Sequence, residues 1–289
     1  MKKILPVVFR KLTSLLVLSL LGALLSATLL RFSPGYGVDE REIDSRLSQS
    51  SVDAIRNEHT RNSGLFHFFG EYLVGAAHGD FGISESLQQP VFALVKERLP
   101  VTAKSVSLGL FSAWSLALAL AIASLSARGW LFGVPSTLLS GLLLALPSGV
   151  VALFSVYLRA PVFVAIAAVT FPRLYRYSRN LLVDALNRPH VLAARARGVG
   201  KLHIFLRHVF PPAAPGLVAL LGISVSIAFG AAIPIEALSD SAGIGQLAWN
   251  AALNRDMPLL TSLTLVVTLI TIASNSIAAD AATLFKRAG

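Results

Sequence analysis

The sequence predicts an all-α integral membrane protein: six transmembrane helices, a cytoplasmic helical hairpin, and an extracytoplasmic segment of about 70 residues after the first helix. Three observations lead there. The first is composition. Of 289 residues, 54% are hydrophobic and only 14% are charged, where a soluble domain carries nearer a quarter charged. The second is clustering. The apolar residues gather in runs of about 20, the length at which a helix crosses a hydrocarbon core of ~30 Å. The third is the placement of charge. A net charge of +10 fits nucleic acid as well as a membrane protein, but its distribution favours the latter. Lys2, Lys3, Arg10 and Lys11 precede the first apolar run, eight basic residues lie between Arg173 and Arg207, and Lys286 and Arg287 close the chain. Residues 32–100 instead hold ten acids against six bases. Basic clusters alternating with a more acidic stretch follow the positive-inside rule.

Taken in order, residues 12–30 (LTSLLVLSLLGALLSATLL) are 19 residues without a charge, enough for one crossing. Their basic start and the small residues near Ala27 also fit a cleaved signal peptide. A retained anchor is the reading that gives a consistent topology. Residues 32–104 are polar and extracytoplasmic, with turn signals at Pro34-Gly35 and Gly79-Asp80. Within them DEREIDSRLSQSSVDAIRNEHTRN reads as a solvated helix, and LFHFFGEYL as an aromatic stretch suited to the outer interface. Residues 105–127 are the second span, ended by Arg128-Gly129. Residues 131–157 are the third, interrupted by Pro135 and Pro147. Residues 160–180 are the fourth, carrying Pro172, Arg173 and Arg176. Only 43 residues (129–171) separate Arg128 from the FPR segment, so the intervening outer loop is short and lies near Arg159. Residues 213–235 and 258–279 are the fifth and sixth spans. Six crossings from a cytoplasmic N-terminus put all three basic clusters on the cytoplasmic side.

Between the fourth and fifth spans lies NRPHVLAARARGVGKLHIFLRHVFPPAAP, Asn187 to Pro215. Ala193, Ala194 and Ala196 favour helix and leave a small-residue face that a partner can approach. Arg195, Arg197, Lys201 and Arg207 make the stretch cationic, and Gly198 and Gly200 let the chain turn. Pro211 and Pro212 are expected to end the second arm.

Several functions are disfavoured. No GxxxxGK[ST] occurs, and Gly200-Lys201 is followed by Leu202, so ATP-driven work needs another chain. Neither HExxH nor GxSxG is present. The six histidines show no metal-ligand spacing on one helix face, and zero cysteines exclude disulfides and thiolate sites. The cluster Asp39, Glu40, Glu42 and Asp44 reads as a solvated face. No catalytic residue and no metal site are expected in this chain.

Three segments carry a resemblance. GDFGISESLQQPVFALVKERLPVT (Gly79–Thr102) is similar to a GD-L-G-x-S…PV…R-L-P-x-T block. VLAARARGVGKLHIFLRHVFP (Val191–Pro211) is similar to a cytoplasmic EAA loop of the form VRTARAKGL…RHALRNA. IEALSDSAGIGQLAWNAALNRDMPLL (Ile235–Leu260) is similar to VETVFS-x-PGLG-x-L…RD-P. In this order the three resemble the membrane-spanning permease subunits of ABC importers, in the dipeptide/oligopeptide/nickel branch. The sequence departs from the pattern at Leu192, where the general consensus has glutamate; at Pro211-Pro212, where it has Arg-Asn; at AGIG (Ala242–Gly245), where it has PGLG; and in the shortened region between the third and fourth spans. The resemblance implies a bacterial or archaeal cytoplasmic membrane location and an importer for peptides or similar small polar solutes. The partners it implies are a second homologous permease, two cytoplasmic ATPase subunits that hold ATP and Mg²⁺, and an extracytoplasmic solute-binding protein. Residues 1–31 are then the cytoplasmic N-terminus and first helix, 32–104 the extracytoplasmic segment, and 105–289 a five-helix permease core with its coupling loop at 187–211.

Each candidate site has two readings. Ala193, Ala194, Arg195, Ala196, Arg197, Gly198, Lys201 and His208 form either an ATPase-coupling surface or a basic loop that sets topology on anionic headgroups. Arg173, Arg176, Pro147 and Glu236 either line a translocation path or, for the charged three, sit at the interfaces. Gly79, Asp80, Gly82, Gly243 and Gly245 either receive a delivery protein on the outer face or only build tight turns. Ser224, Ser226 and Gly222 suit close helix packing. Two other functions compete with the importer: a transporter or channel without an ATPase, and a degenerate non-transporting scaffold.

Overall fold

The computed structural model describes residues 4–31, 65–126 and 129–288. The predicted solvated helix, the acidic cluster Asp39–Asp44, Lys2, Lys3 and Arg128 lie outside the described residues, as do the side chains of Arg10, Lys11, Lys286 and Arg287. Apart from one isolated antiparallel bridge, Ile83 to Pro90, the described secondary structure is helical. The helices are α1 Ile4–Arg31, α2 Leu65–Ala77, α3 Val91–Ser124, α4 Trp130–Ala145, α5 Ser148–Tyr157, α6 Val162–Leu186, α7 Pro189–Ala196, α8 Lys201–Leu238, α9 Ile244–Leu253 and α10 Met257–Ala288. Among the described residues, α3, α8 and α10 are long and apolar enough to cross a membrane. A fourth crossing is added if α4 and α5 count as one span, bent by 103°.

That bend has a local cause. Pro147 restricts the residue before it to extended backbone, and Leu146 takes ψ 125°. Pro147 itself has ψ 145° and starts α5. Pro135, six residues into α4, leaves that helix unbroken. The second predicted span also differs in extent: α3 begins at Val91, directly after Pro90, and runs through Pro100. Helix α6 continues through Pro172 to Leu186, and Arg173, Arg176 and Arg179 dilute its apolar character.

Two compact units divide the chain. The described residues of Met1–Arg98, with Leu247–Leu269, form one. Its core packs Ala23, Phe69, Tyr72 and Leu265, with Leu20, Leu24 and Leu73 beside them. Tyr72 finds a partner for its hydroxyl in Ser262, at 3.0 Å, so the aromatic helix α2 is bound to α10 by a polar as well as an apolar contact.

The described residues of Leu99–Gln246, with those of Ile270–Gly289, form the other unit. On α3, Ala113, Ala117 and Ala121 recur every fourth residue, which keeps one narrow face small. The same core holds Phe171, Leu174, Tyr175 and Leu182 of α6 and Leu217 and Leu220 of α8. The small and hydroxylated residues of α8 serve packing. Gly222 lies against Ala278 and Asn275, Ser224 Oγ accepts from Trp114 Nε1 at 3.1 Å, and Ser226 Oγ accepts from Asn275 Nδ2 at 3.1 Å. In an apolar surrounding such bonds fix helix register, because no water competes for the groups.

Candidate coupling hairpin and loop clamps

Helix α7, the turn at Gly198 and the start of α8 form the predicted hairpin. Pro189 occupies the first turn of α7, where a missing amide costs nothing. At the other end the Gly198 amide donates to the Arg195 carbonyl at 3.0 Å, and the Val199 amide to the Ala194 carbonyl at 3.2 Å. These two bonds make a Schellman turn, which places its pivot residue in the left-handed region. Gly198 is that residue, with φ +74°. An added Cβ there meets no atom within 4 Å, so the glycine answers to backbone conformation and not to crowding.

The hairpin has two distinct faces. Val191, Ala194, Ile204 and Val209 are buried in the core with Phe171 and Leu182. Leu192, Ala193, Arg195, Ala196, Arg197, Lys201, Leu202 and Leu206 are exposed. Ala194 therefore does not share a partner-facing surface with Ala193 and Ala196. Each helical residue advances about 100°, which puts Ala194 on the face of Val191 instead. Pro211 and Pro212 do not end the second arm either. Residues Phe205–Val209 form a π-turn, with the Phe210 amide reaching the Phe205 carbonyl. The helix then restarts with both prolines in its opening turns, where their lack of amides is tolerated. His208 is half-buried at this junction.

Two carboxylates clamp loops, one in each unit. Glu236 lies in the last turns of α8 and is 0% exposed. Its Oε2 accepts from the Thr102 hydroxyl at 3.0 Å and from the Gly245 amide at 2.7 Å. Thr102 Oγ1 in turn accepts from the Ile244 amide at 2.7 Å. A Cβ on Gly243 would collide with the Glu236 carboxylate and with Thr102 Oγ1. Only glycine lets the loop backbone lie on the carboxylate. Of the two readings of Glu236, the exposed interfacial carboxylate does not hold: the side chain is buried, with Oε2 bound by a hydroxyl and an amide and Oε1 without a hydrogen-bond partner among the described residues.

Asp256, also 0% exposed, precedes α10. Its Oδ1 accepts from the Leu259 amide at 3.1 Å, an N-cap bond. Its Oδ2 accepts from the Ser84 hydroxyl, the Ser86 amide at 2.9 Å and the Ser86 hydroxyl at 2.7 Å. The loop it holds begins at the GDFG turn. Gly79 and Gly82 have φ +83° and +78°, and Asp80 Oδ1 accepts from the Gly82 amide at 2.9 Å.

Arg173 and Arg176 share the exposed face of α6 and line a cavity of about 380 Å³ with Leu144, Tyr177 and Asn180. Arg176 Nε donates to Ser140 Oγ of α4 at 3.2 Å. Pro147 is exposed at the α4–α5 break.

Comparison with known proteins places these features. Residues 107–288 match the family described as the binding-protein-dependent transport system inner membrane component. The chain belongs to this family. This permease is 29% identical over 237 residues to the oligopeptide transport system permease protein OppB of Escherichia coli K12, covering 74% of this chain and 76% of that one. A putative peptide permease protein of Brucella suis is 27% identical, with 86% and 88% covered. The oligopeptide transport system permease protein AppB of Bacillus subtilis is 23% identical, with 90% and 91% covered. The protein is a permease of an importer, and not an enzyme.

The hairpin presents Ala193, Arg195, Ala196, Arg197, Gly198 and Lys201 on its exposed side, while Ala194 faces the core and His208 is half-buried; Gly243 and Gly245 lie against Glu236. Thr102, Ser84, Ser86 and Asp256 escaped selection as site residues. Their signal was present, since Thr102 ends the LPVT text and Asp256 sits in NRDMP. His190 was missed as well, and no pattern in the sequence pointed to it.

Proposed function

We propose that this permease spans the membrane six times, with both termini cytoplasmic, and forms the path of an ATP-driven importer for peptides or similar small polar solutes. The alternation of basic and acidic stretches supports that topology. The names of the relatives support the substrate class. A second homologous permease, two ATPase subunits carrying ATP and Mg²⁺, and a solute-binding protein complete the assembly. The loops at Gly79–Gly82 and Gly243–Gly245 are the outer elements that meet the binding protein, each held by its own clamp.

One observation carries the coupling role. The hairpin packs its inner face into the permease core and leaves Leu192, Leu202 and Leu206 exposed beside Arg195, Arg197 and Lys201. Exposed leucines bordered by cations suit a partner groove with acidic rims better than water or headgroups alone. Force on that face passes to α6 and α8 through Val191 and Ala194. Arg173 and Arg176 line the path, and their guanidinium groups suit the carboxylate of a passing peptide.

Gly198→Val tests this reading. A β-branched residue resists φ +74°. Uptake of labelled tripeptides should be lost while the protein still inserts into the membrane in normal amount. Normal uptake with full insertion would sink the coupling role. Purification from solubilised membranes should also bring down an ATPase, and a permease that transports without one would overturn the ATP-driven reading.

A further inference from the structure

Pro212 creates a local vacancy in the hydrogen bonding of α8. In a helix the amide of residue i+4 donates to the carbonyl of residue i, and proline has no amide hydrogen. The carbonyl four residues before Pro212 belongs to His208. At that oxygen stands Nε2 of His190, 3.2 Å away. A carbonyl oxygen only accepts, so Nε2 carries the hydrogen and donates. His190 is the second residue of α7, and its ring centroid lies 6.0 Å from that of His208. The bond therefore joins the first arm of the hairpin to the junction between the π-turn and the apolar part of α8.

We propose that His190 is a positioning residue of the coupling hairpin, a latch whose imidazole replaces the amide donor that Pro212 lacks. The apolar contacts of Val191, Ala194, Ile204 and Val209 are non-directional and hold α7 near α8 without fixing its rotation. A hydrogen bond fixes direction. With the latch closed, α7 and the opening turns of α8 move as one body, so displacement of the hairpin reaches the span without slack. Gly198 then serves as the hinge and His190 as the tie across it. The latch stands on this geometry. Its use in transport rests on the coupling role proposed above.

The test measures hydrogen–deuterium exchange of the backbone amides at Val191–Arg197. The permease is purified with its associated subunits and reconstituted in lipid nanodiscs. His190→Phe keeps a ring and removes the donor, and exchange should rise roughly three- to tenfold. His190→Gln offers an amide donor at similar reach and should stay within about twofold of the parent. Pro212→Ala restores the helix amide. In that background His190→Phe should exchange no faster than Pro212→Ala alone. Unchanged exchange in His190→Phe would overturn the latch, as would an equal rise with and without Pro212→Ala. If Pro212→Ala fails to assemble, equal exchange in the Phe and Gln variants overturns it by itself. In cells, tripeptide uptake should fall in His190→Phe and recover in His190→Gln. The expected exchange pattern with unaltered uptake would overturn the transmission role. Normal uptake in Gly198→Val strikes the coupling role and leaves the exchange result standing, so the two failures are distinguishable.

Discussion

The Glu236 loop and the Gly198 hairpin both turn the chain at a glycine, yet they are built in opposite ways. At Gly243 the backbone lies on a buried carboxylate, and a Cβ has no room. At Gly198 the space is open, and only the positive φ demands glycine. The first loop is held by two donors, the Thr102 hydroxyl and the Gly245 amide, on one buried oxygen. The hairpin is held by an apolar inner face and one exposed imidazole. On the proposed coupling role, the difference separates a fixed element from a movable one. Buried, multiply bonded groups are lost only together, whereas a surface joint with one directed bond opens at small cost.

Glycine-to-alanine replacement in both loops probes this contrast most strongly. Gly243→Ala should cost about 3 kcal/mol or more, since the Glu236 carboxylate and Thr102 must both shift. Reduced recovery of folded permease and a lowered Tm in nanodiscs would register it. A Tm equal to the parent's would show that the clamp has room after all. Gly198→Ala should cost only about 1 kcal/mol, because the penalty is conformational. If the two alanines destabilise equally, the contrast fails.

The second clamp comes next in size. Asp256→Ala strands the donors of Ser84, Ser86 and Leu259 and should cost about 3 kcal/mol. Asp256→Asn keeps an acceptor and should lose roughly half as much. Thermal unfolding of the two variants side by side checks the order, and a larger loss in Asn would contradict it. Glu236→Gln is expected to cost about 1–2 kcal/mol, since a neutral amide oxygen accepts from Thr102 and Gly245 less strongly than a carboxylate oxygen does. Thr102→Ser, which keeps the hydroxyl, should stay near the parent on the same measurement.

The smallest stability effect belongs to the exposed hairpin face. Arg195→Ala and Arg197→Ala should leave Tm within about 0.5 kcal/mol equivalent, as exposed side chains do. Both should lower tripeptide uptake. Loss of stability without loss of uptake would reverse the division between fixed and movable parts.

Much of the hairpin was legible before any coordinates. Gly198 after a run of alanines and arginines marks a helix C-terminus, and the Schellman bonds follow from it. The clamps were half legible. Glycines at 243 and 245 announced a tight loop, but nothing local announced that Glu236 would lie under it. Glu236 read as a path or interfacial charge because hydropathy ranks a glutamate by type and is blind to donors arriving from Thr102. Pro147 was recognisable as an interruption, and the extended backbone at Leu146 and Pro147 accompanies the 103° bend. The prolines at 211 and 212 misled, because a π-turn absorbs the misfit that they would otherwise impose.

Taken alone, the sequence determined the helical class, the apolar runs, the sign of each polar face, the absence of a nucleotide loop and the pivot at Gly198. These depend on residues within a few positions of one another, through backbone propensity and transfer from water. Tertiary structure decided which way Ala194 faces and which donors satisfy Glu236 and Asp256. It also decided what answers the carbonyl that Pro212 leaves to His190. Those pairings join Thr102 to Glu236 and Ser84 to Asp256, residues 134 and 172 positions apart. A buried polar group is satisfied by whichever donors the packed helices bring to it, and only the fold brings them there.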